Sequence, residues 1–368
     1  MKILQIILTT QGGLIHYTSQ LSNALSTNND VHLIAPVGFE AELFNKSINL
    51  YQLKTGDTLQ NFILSFIIFT RISSFLNTIK KINPDVIHLQ SNHPWMSLFL
   101  PFLQKYLIVT TIHDVNPHEG SRKFEQEISR NIHIKYSDAL IVHGDAAKTI
   151  LGEKIPKKKI FNIPHGDYSF FSRLKQHNYD EEKGNILFFG RIEDYKGLRY
   201  LIEAIPQIEK NIPNIKIVIA GSGSLEGYNL ESKNVIIYNH YIPDNEVGAF
   251  FQKAAVVVLP YIEGTQTGII PIAYAFKKPV IVTNVGSIPE VVENGKTGFI
   301  VPSKDPKALA EAIVKILMDD NLRKKMGENG YRKMMEELSW DKIAEMTIEV
   351  YKKILYLEGA KKLNDKDT

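Results

Sequence analysis

Apolar and polar residues follow a strand-then-helix rhythm in the first half of the chain. Short, almost continuous apolar runs alternate with longer segments in which apolar residues recur at helical spacing. Such runs are typical of parallel strands that helices cover on both faces. The first run, residues 2–9, leads into a glycine turn and a helical pattern over 14–26. The further predicted strands are 31–36, 85–90, 107–112 and 139–144.

The rhythm is interrupted at about residues 155–184 and then starts again. The interruption contains several lysines, two prolines and a polar stretch, which together predict a connector between domains. Residues 306–357 predict successive helices, of which the last begins near residue 340. The strands predicted in the second half are 185–190, 216–221, 234–238, 256–261 and 279–283.

This pattern predicts an α/β protein with two domains. We expect an N-terminal Rossmann-like domain over residues 1–170, which a C-terminal helix at about 341–368 joins, and a second Rossmann-like domain over 171–340. A length of 368 residues agrees with two domains. Open parallel sheets bind ligands at the carboxyl ends of their strands, so the active site is expected in a cleft between the domains.

Composition narrows the classes of function. The chain has no cysteine, which excludes disulfides, zinc–thiolate sites and a cysteine nucleophile. The net charge of +3 argues neither for nor against nucleic acid, and no nucleic-acid partner is expected. The N-terminus has a short apolar run without a cleavage pattern and is interpreted as a first strand, not a signal peptide. A cytoplasmic location is expected.

Two apolar segments and one basic cluster leave a peripheral membrane contact open. Residues 62–69 form an apolar run too short to span a bilayer. They predict a buried helix, as do residues 95–103, with a helix face at a membrane surface as the alternative. The lysines at 154, 157, 158 and 159 predict a solvated connector, with attraction to anionic headgroups as the alternative.

Arg191 and Lys196 are the first candidate site residues. They follow the predicted strand 185–190, where a parallel sheet presents its loops to a ligand. Two cations there can hold a diphosphate, because charge-assisted hydrogen bonds contribute roughly 1.5–3 kcal/mol each. The alternative is a solvated loop in which the two cations pair with Glu193 and Asp194.

The segment GTQTG, residues 264–268, is the second candidate element. It forms a polar turn after strand 256–261, and a helical pattern begins near Gly268. The first turn of a helix offers unpaired N–H groups, which suit a phosphate. An ordinary strand-to-helix turn is the alternative. Glu263, just before the turn, is expected either to accept hydrogen bonds from sugar hydroxyls or to lie in a solvated rim.

Two candidates lie in the first half. Gly12 and Gly13 follow the first strand and allow a ligand to approach the backbone closely. His113 follows strand 107–112, where a histidine can hydrogen-bond a sugar or polarise a reacting group. Neither the glycine pair nor GSGSLEG, residues 221–227, is a GxGxxG fingerprint, which argues against a conventional dinucleotide enzyme. The histidines lack the spacing of a zinc site, and no metal is expected.

Taken together, these segments resemble the retaining glycosyltransferases of family 4, also called glycosyl transferase group 1, which have the GT-B fold. The resemblance covers almost the whole chain in the family's order. The matching segments are GGLIHYTSQLSNAL, DVIHLQ, TIHD, IPHGDYSFF, LFFGRIEDYKGLRYLIEAI, IAGSGSL, YIPDNEVGAFFQKAAVVVLPY and PVIVTNVGSIPEVVENGKTGFIVP.

The resemblance implies a nucleotide-sugar donor that the second domain holds and an acceptor that the first domain holds. Arg191 and Lys196 match the family's basic pair on the donor diphosphate. The turn at Thr267, Gly268 and Ile269 matches the backbone cradle for the same phosphates. Gly13 matches the loop near the sugar-phosphate, and His113 matches the histidine beside the transferred sugar.

One position departs from the family's pattern. The family commonly has two glutamates separated by seven residues, and the second binds the ribose. Glu263 matches the first, but Ile272 stands at the second, and an isoleucine accepts no hydrogen bond. Glu290 is considered as a substitute. Tyr241 and Ile242 fall in the segment that flanks the base.

The resemblance implies transfer of a hexosyl or related group to a hydroxyl of a glycan or a lipid-linked glycan, as in polysaccharide biosynthesis. The anomeric configuration is retained, and neither a cofactor nor a metal is expected, since Arg191 and Lys196 carry the compensating charge. Two alternatives stay open. One is a nucleotide-sugar epimerase of GT-B architecture, and the other is a nucleotide-sugar binding protein without turnover, which Ile272 motivates.

Overall fold

The computed structural model describes residues 1–10, 12–53, 69–115, 123–174, 177–264 and 266–364. The chain divides into two units. The first contains residues 1–143, 147–164 and 340–368, and the second contains residues 144–146 and 165–339. The boundary between the two predicted domains lies a few residues later, at residue 170. The acceptor and donor roles expected of the two domains stay predictions.

A seven-stranded sheet forms the centre of the first unit. Its strands are β1 (Lys2–Ile6), β2 (Asp30–Pro36), β3 (Asn49–Leu53), β4 (Val86–Leu89), β5 (Leu107–Thr111), β6 (Ala139–Val142) and β7 (Lys159–Asn162). They lie in the order β3-β2-β1-β4-β5-β6-β7, and all neighbours are parallel. The strand order reverses between β1 and β4, which makes this the position where a doubly wound sheet binds a ligand.

Helices cover both faces of this sheet. In α1, apolar residues at helical spacing, among them Tyr17, Leu21 and Leu25, are buried in the core with β1 and β2. Helix α1 thus follows the predicted helix 14–26. The helices between the strands of this unit are α1 (Gly13–Leu25), α2 (Phe69–Ile82), α3 (Pro94–Ser97), α4 (Lys123–Tyr136) and α5 (Asp145–Lys154).

The second unit is built on a six-stranded sheet. Its strands are β8 (Asn185–Phe189), β9 (Lys216–Ala220), β10 (Val235–Tyr238), β11 (Val256–Leu259), β12 (Val280–Thr283) and β13 (Gly298–Val301). The order is β10-β9-β8-β11-β12-β13, and all neighbours are parallel. Here the order reverses between β8 and β11.

The helices of the second unit follow its strands in the same alternation. Two of them begin at aspartates whose side chains accept a hydrogen bond from the first helical turn, Asp305 from Ala308 N and Asp319 from Leu322 N. The helices are α6 (Phe170–Leu174), α7 (Leu198–Asn211), α8 (Asp244–Lys253), α9 (Ile269–Ala275), α10 (Ile288–Val291), α11 (Pro306–Met318) and α12 (Asp320–Glu337).

The last helix, α13 (Trp340–Asn364), belongs to the first unit although it follows the second in sequence. Ile343, Tyr351 and Ile354 are buried in the core that α1 and β1 also form. The expectation that a C-terminal helix returns to the N-terminal domain is therefore confirmed.

Three strands were not predicted from the sequence. The segment 155–184, interpreted as a connector, does contain the change from the first unit to the second, but it also contains β7, which pairs with β6, and α6. Strands β3 and β13 were also missed. All three lie at an edge of a sheet. Every position of β3 and β7 is exposed or half-buried, and polar residues interrupt the continuous apolar run that is typical of a central strand.

The basic and apolar segments of the first unit are placed only in part. Lys158 is not a freely solvated cation, because its ammonium donates hydrogen bonds to the backbone oxygens of Lys135 and Ser137. Residues 95–103 form α3 and a 3₁₀ turn, Leu100–Leu103, with Trp95 and Phe99 buried, as the core-helix interpretation expects. Apart from Phe69, the run 62–69 lies outside the described residues. Within the described chain, no helix combines enough length and apolar character to cross a membrane.

Candidate functional site

Arg191 and Lys196 lie where β8 ends, next to the reversal of strand order between β8 and β11. A 3₁₀ turn, Asp194–Lys196, holds the second of them, and Arg191 follows Gly190 at the strand end. The Arg191 guanidinium donates to Glu193 Oε1 at 3.2 Å and to the Tyr195 hydroxyl at 3.4 Å. Its side chain is 66% exposed. An exposed ion pair of this kind contributes only about 0–1 kcal/mol, so an incoming anion can displace the carboxylate.

The Lys196 ammonium lies over two tyrosine rings. Its Nζ is 3.9 Å from the ring centroid of Tyr261 and 4.9 Å from that of Tyr195. Both rings are buried, and Lys196 itself is half-buried. The ammonium is thereby held at the surface of the unit by aromatic faces.

Gly197 fixes the turn against the end of β11. It adopts the left-handed conformation with φ 67° and precedes α7. A Cβ at this position would lie 1.9 Å from the backbone oxygen of Pro260, so only glycine permits the close approach. The same contact is reinforced by Ile262 N, which donates to Tyr195 O at 2.8 Å. These contacts bring the Lys196 turn beside the loop that follows β11.

The polar turn after β11 leads into α9, as predicted. The Thr267 hydroxyl accepts from Ile269 N at 3.2 Å and lies 3.3 Å from the Tyr261 hydroxyl. Gly268 precedes the first helical residue, and a Cβ there would meet the Tyr168 ring at 2.8 Å. Thr265 lies outside the described residues. The turn therefore borders Tyr261, whose ring is also the closer neighbour of Lys196.

The two acidic positions of the family pattern have opposite surroundings. Glu263 is exposed, and its backbone N–H is directed to Tyr195 O at 3.5 Å. Ile272 is 5% exposed and packs into the apolar core of the second unit. A carboxylate at position 272 would lose its solvation in this core, whereas the isoleucine side chain packs there without that cost.

The remaining donor candidates differ in accessibility. The Tyr241 side chain is 55% exposed, whereas Ile242 is 6% exposed and belongs to the core. The Glu290 carboxylate accepts hydrogen bonds from the backbone N–H groups of Asp145 and Ala146, at 2.7 and 2.9 Å. These two residues belong to the second unit. Glu290 is thus already engaged with backbone donors. Its suggested part in ribose binding stays a prediction.

In the first unit, Gly13 is the first residue of α1, which follows β1 at the other reversal of strand order. Gly12 precedes it with φ 83°, and the described residues supply no side-chain cap for this helix. The N–H groups of Ile15 and His16 are directed to Gly12 O at 3.0 and 3.3 Å. The start of α1 is accordingly formed by backbone groups, and the predicted close approach of a ligand to Gly13 stays a prediction.

His113 follows β5 and has both ring nitrogens near protein atoms. Its Nε2 lies 3.1 Å from Gln90 O, and its Nδ1 lies 3.2 Å from Nε2 of His143. The Tyr17 ring packs edge-on against it, with the centroids 5.0 Å apart. A sugar hydroxyl that binds an imidazole nitrogen of His113 would therefore replace one of these contacts. The role of His113 beside the sugar stays a prediction.

His143 is a buried ring beside His113. Burial lowers the pKa of His143 to about 4, so the ring is neutral near pH 7. Its Nδ1 must donate to Ile163 O at 2.8 Å, because a carbonyl oxygen only accepts. Its Nε2 is then an acceptor, and His113 Nδ1 is the donor between the two rings.

A second buried histidine joins α13 to the sheet of the first unit. His88 Nδ1 lies 2.5 Å from the Tyr351 hydroxyl, and Nε2 lies 2.7 Å from the Thr111 hydroxyl. Burial lowers the pKa of His88 to about 3 and raises that of Tyr351 well above its ordinary value, so both are neutral. The carboxyl ends of β4 and β5 are therefore linked to α13 through buried polar side chains.

Sequence reasoning missed Tyr195, Tyr261 and His143. Tyr195 adjoins Lys196, and Tyr261 ends the predicted strand 256–261. A tyrosine at such a position is more often part of the core than part of a binding site. His143 ends the predicted strand 139–144, and nothing in the sequence places it against His113. Only the sheet order brings the ends of β5 and β6 together.

Comparison with known proteins agrees with this geometry. Residues 11–166 match the family model described as Glycosyltransferase Family 4, and residues 171–333 match that of Glycosyl transferases group 1. An uncharacterized glycosyltransferase of Methanocaldococcus jannaschii, MJ1607, is 25% identical over 390 residues, which cover 95% of this chain and 96% of that protein.

Solved structures show the same fold. Sucrose-phosphate synthase from Thermosynechococcus elongatus is similar with a TM-score of 0.78 at 19% identity, covering 97% of this chain and 100% of that chain. Anabaena Alr3699/HepE in complex with UDP-glucose is similar with a TM-score of 0.73 at 17% identity, covering 96% and 100%. The predicted GT-B fold, with two Rossmann-like doubly wound units, is confirmed, while the expected cleft stays a prediction. The chain belongs to the glycosyltransferases, since its first half matches Glycosyltransferase Family 4 and its second half matches Glycosyl transferases group 1.

Proposed function

We propose that this protein moves a sugar from a nucleotide diphosphate sugar to a hydroxyl of a glycan or lipid-linked glycan in the cytoplasm, with retention of the anomeric configuration. The observation that carries the proposal is the pair of cations at the end of β8. Arg191 and Lys196 lie at the reversal of strand order of the second unit, beside the turn that opens α9.

The chemistry of the two cations suits a diphosphate. Arg191 offers a planar guanidinium that can bind two phosphate oxygens, and Lys196 offers a compact ammonium. The backbone N–H groups after Thr267 add neutral donors. The structurally similar Anabaena Alr3699/HepE in complex with UDP-glucose supports a nucleoside diphosphate sugar as the donor and UDP as the first probe.

In the proposed reaction the bond between the anomeric carbon and the diphosphate oxygen breaks, and the acceptor oxygen bonds to the same face of the sugar. The proton of the acceptor hydroxyl moves to the leaving phosphate oxygen. Negative charge grows on the diphosphate as it leaves, so Arg191 and Lys196 stabilise the transition state more than the ground state. With this charge compensation, no metal is required.

The isoleucine at position 272 restricts how the donor is held. Ile272 is buried, so ribose hydroxyls have no carboxylate at this position. Losing a charged acceptor costs roughly 1.5–3 kcal/mol of binding, which is about ten- to a hundred-fold in affinity. We propose that the donor is bound mainly through its diphosphate.

The test is turnover of a panel of nucleotide sugars with glycan and lipid-linked acceptors by the wild type, Arg191→Ala and Lys196→Ala. Each substitution is expected to lower turnover about ten- to a hundred-fold, because a charge-assisted contact is lost. Lys210→Ala, an exposed lysine on α7, is the matched control and should retain wild-type turnover. Adding EDTA should leave the wild-type rate unchanged.

Three results would contradict the proposal. Near-full turnover in both Arg191→Ala and Lys196→Ala would refute the role of the cations. An epimerised sugar formed without an acceptor would indicate the epimerase. Donor binding by calorimetry without transfer or hydrolysis for any acceptor would indicate a binding protein.

A further inference from the structure

We propose that Tyr261, assisted by Tyr195, is a positioning residue that holds the Lys196 ammonium in place for the donor diphosphate. The inference rests on the proposed function, because it assigns the groups that orient one of its two cations. Tyr261 contacts both elements of the proposed diphosphate site. Its ring faces the lysine, and its hydroxyl faces the turn before α9.

The geometry of the ammonium and the rings is that of a cation–π contact. Lys196 Nζ lies 3.9 Å from the Tyr261 ring centroid and 4.9 Å from that of Tyr195. Attraction between an ammonium and an aromatic face extends to about 6 Å. Within the described part of the chain, no carboxylate forms an ion pair with Lys196, whereas Arg191 has Glu193. The rings therefore orient this ammonium without neutralising its charge.

Tyr261 is itself rigidly held. It is 1% exposed, and its backbone oxygen accepts hydrogen bonds from the hydroxyls of Thr283 and Ser303. The Tyr195 ring meets it nearly at a right angle, with the centroids 6.5 Å apart. Neighbouring strand ends thus fix the aromatic surface on which the lysine rests.

The hydroxyl group of Tyr261 links this aromatic surface to the turn before α9. It lies 3.3 Å from the Thr267 hydroxyl, which also accepts from Ile269 N at the start of α9. Tyr195 makes a similar link to the other cation, since its hydroxyl accepts from the Arg191 guanidinium at 3.4 Å. The two tyrosines consequently connect both cations and the turn in one array.

The contact with the two rings preorganises the Lys196 ammonium for binding an anion. A lysine on a solvated loop loses about 2 kcal/mol of rotamer entropy when a ligand immobilises it. A lysine already held on aromatic faces loses less, and its full positive charge stays available to an anion. Removal of the Tyr261 ring should weaken diphosphate binding through Lys196 even though the ring does not touch the diphosphate.

A purely structural role is the competing interpretation, because Tyr261 also belongs to the apolar core of the second unit. A double-mutant cycle separates the two. If the ring acts through Lys196, its removal has little further effect once the lysine is gone, whereas independent effects add.

The experiment is calorimetric titration of UDP, with GDP and ADP as alternatives, into the wild type, Tyr261→Leu, Tyr261→Phe, Lys196→Ala and the Tyr261→Leu/Lys196→Ala double variant. Tyr261→Leu should bind the diphosphate about three- to thirty-fold more weakly than the wild type. Tyr261→Phe keeps the ring and should stay within about three-fold. In the Lys196→Ala background, Tyr261→Leu should cost less than about two-fold.

Tyr331→Leu is the matched control. It removes another lysine–tyrosine contact of the same unit, in which Lys277 Nζ lies 5.3 Å from the Tyr331 centroid, and should leave diphosphate affinity unchanged. Should Tyr261→Leu fail to fold, Tyr195→Leu enters the same cycle. Its expected loss is smaller because that ring is more distant.

The outcomes are distinguishable. Equal losses from Tyr261→Leu with and without Lys196, or equal losses from Tyr261→Leu and Tyr261→Phe, would overturn the positioning role alone. A wild-type protein that binds none of the three diphosphates would overturn the proposed function, and this inference with it. Unchanged affinity in Lys196→Ala would show that the lysine is not the group being positioned.

Discussion

The two sheets of this protein have the same kind of reversal in strand order, but polar residues are used differently at the two reversals. In the first unit the reversal lies between β1 and β4, and in the second it lies between β8 and β11. At the first, side chains such as Gln5, His88 and Gln90 are completely buried. At the second, the Arg191 side chain is 66% exposed.

Buried polar groups of the first unit pair mainly with one another, although Gln5 Nε2 and Gln90 Oε1 have no hydrogen-bond partner among the described residues. His88 is shared between Tyr351 and Thr111, and Gln90 Nε2 lies 3.0 Å from Gln5 Oε1. Burial keeps His88 and Tyr351 neutral, because charging either of them would cost solvation energy. They stabilise the position of α13 and the ends of the central strands.

The two cations at the second reversal are oriented by their neighbours. Arg191 has one exposed carboxylate partner, and Lys196 rests on aromatic rings that leave its charge uncompensated. The comparison teaches that topology provides a place for a ligand, while the availability of charge decides which ligand it fits. For this reason the proposed diphosphate site lies in the second unit.

The largest expected effect comes from the turn that positions Lys196. Gly197→Ala should lower the free energy of unfolding by about 2–4 kcal/mol, because the new methyl group meets Pro260 O and the left-handed backbone disfavours alanine. Urea denaturation would measure the loss. Gly152→Ala is the control, since a Cβ there has open space within α5 and alanine favours a helix. Equal stabilities for the two variants would remove the argument for a fixed turn.

Protonation of His143, in the first unit, is expected to change the free energy of unfolding by about 2 kcal/mol between pH 7 and pH 5. The pKa of His143 is lowered from 6.5 to about 4 in the folded state. Below pH 6.5 this histidine binds a proton in the unfolded chain but not in the folded chain. The free energy of unfolding therefore has its full value above pH 6.5 and decreases as the pH falls towards 4. Urea denaturation at pH 7 and pH 5 should show a decrease that is about 2 kcal/mol larger in the wild type than in His143→Gln, because His88 and His133, whose pKa values burial also lowers, contribute to the decrease in both proteins. The exposed His177→Gln is the control, and an unchanged pH dependence in His143→Gln would contradict a neutral buried ring.

The smallest effect, about 1–2 kcal/mol, is expected where α13 joins the sheet. Tyr351→Phe removes the hydroxyl that contacts His88 and leaves a buried nitrogen without that partner. Tyr356→Phe, on the same helix with a side chain 78% exposed, should leave the free energy of unfolding unchanged. A stability of Tyr351→Phe equal to that of Tyr356→Phe would show that the polar network of the first unit contributes little.

Most central strands were predictable from the sequence, because full burial leaves a continuous apolar run. Strand β11, predicted as 256–261 and observed as Val256–Leu259, is an example. Strand β7, with Lys159 and Asn162, was not predictable, because an edge strand tolerates polar residues and resembles a connector. Local sequence describes burial, but it does not state which strands become neighbours.

The candidate site was predictable to a similar extent. Arg191, Lys196 and the turn at Thr267 were identified because charged or polar residues after a strand are conspicuous. Tyr261 was not, since its part depends on a ring facing a lysine 65 positions earlier, which no local pattern encodes. The isoleucine at position 272 was recognised as a departure, and the structure adds that this side chain is buried.

A crystal structure of the protein grown with UDP tests the central claim most directly. Our account predicts that diphosphate oxygens lie within hydrogen-bond distance of the Arg191 guanidinium and the Lys196 ammonium, with the lysine still on the Tyr261 ring. A diphosphate bound in the crystal without contact to either cation would contradict it.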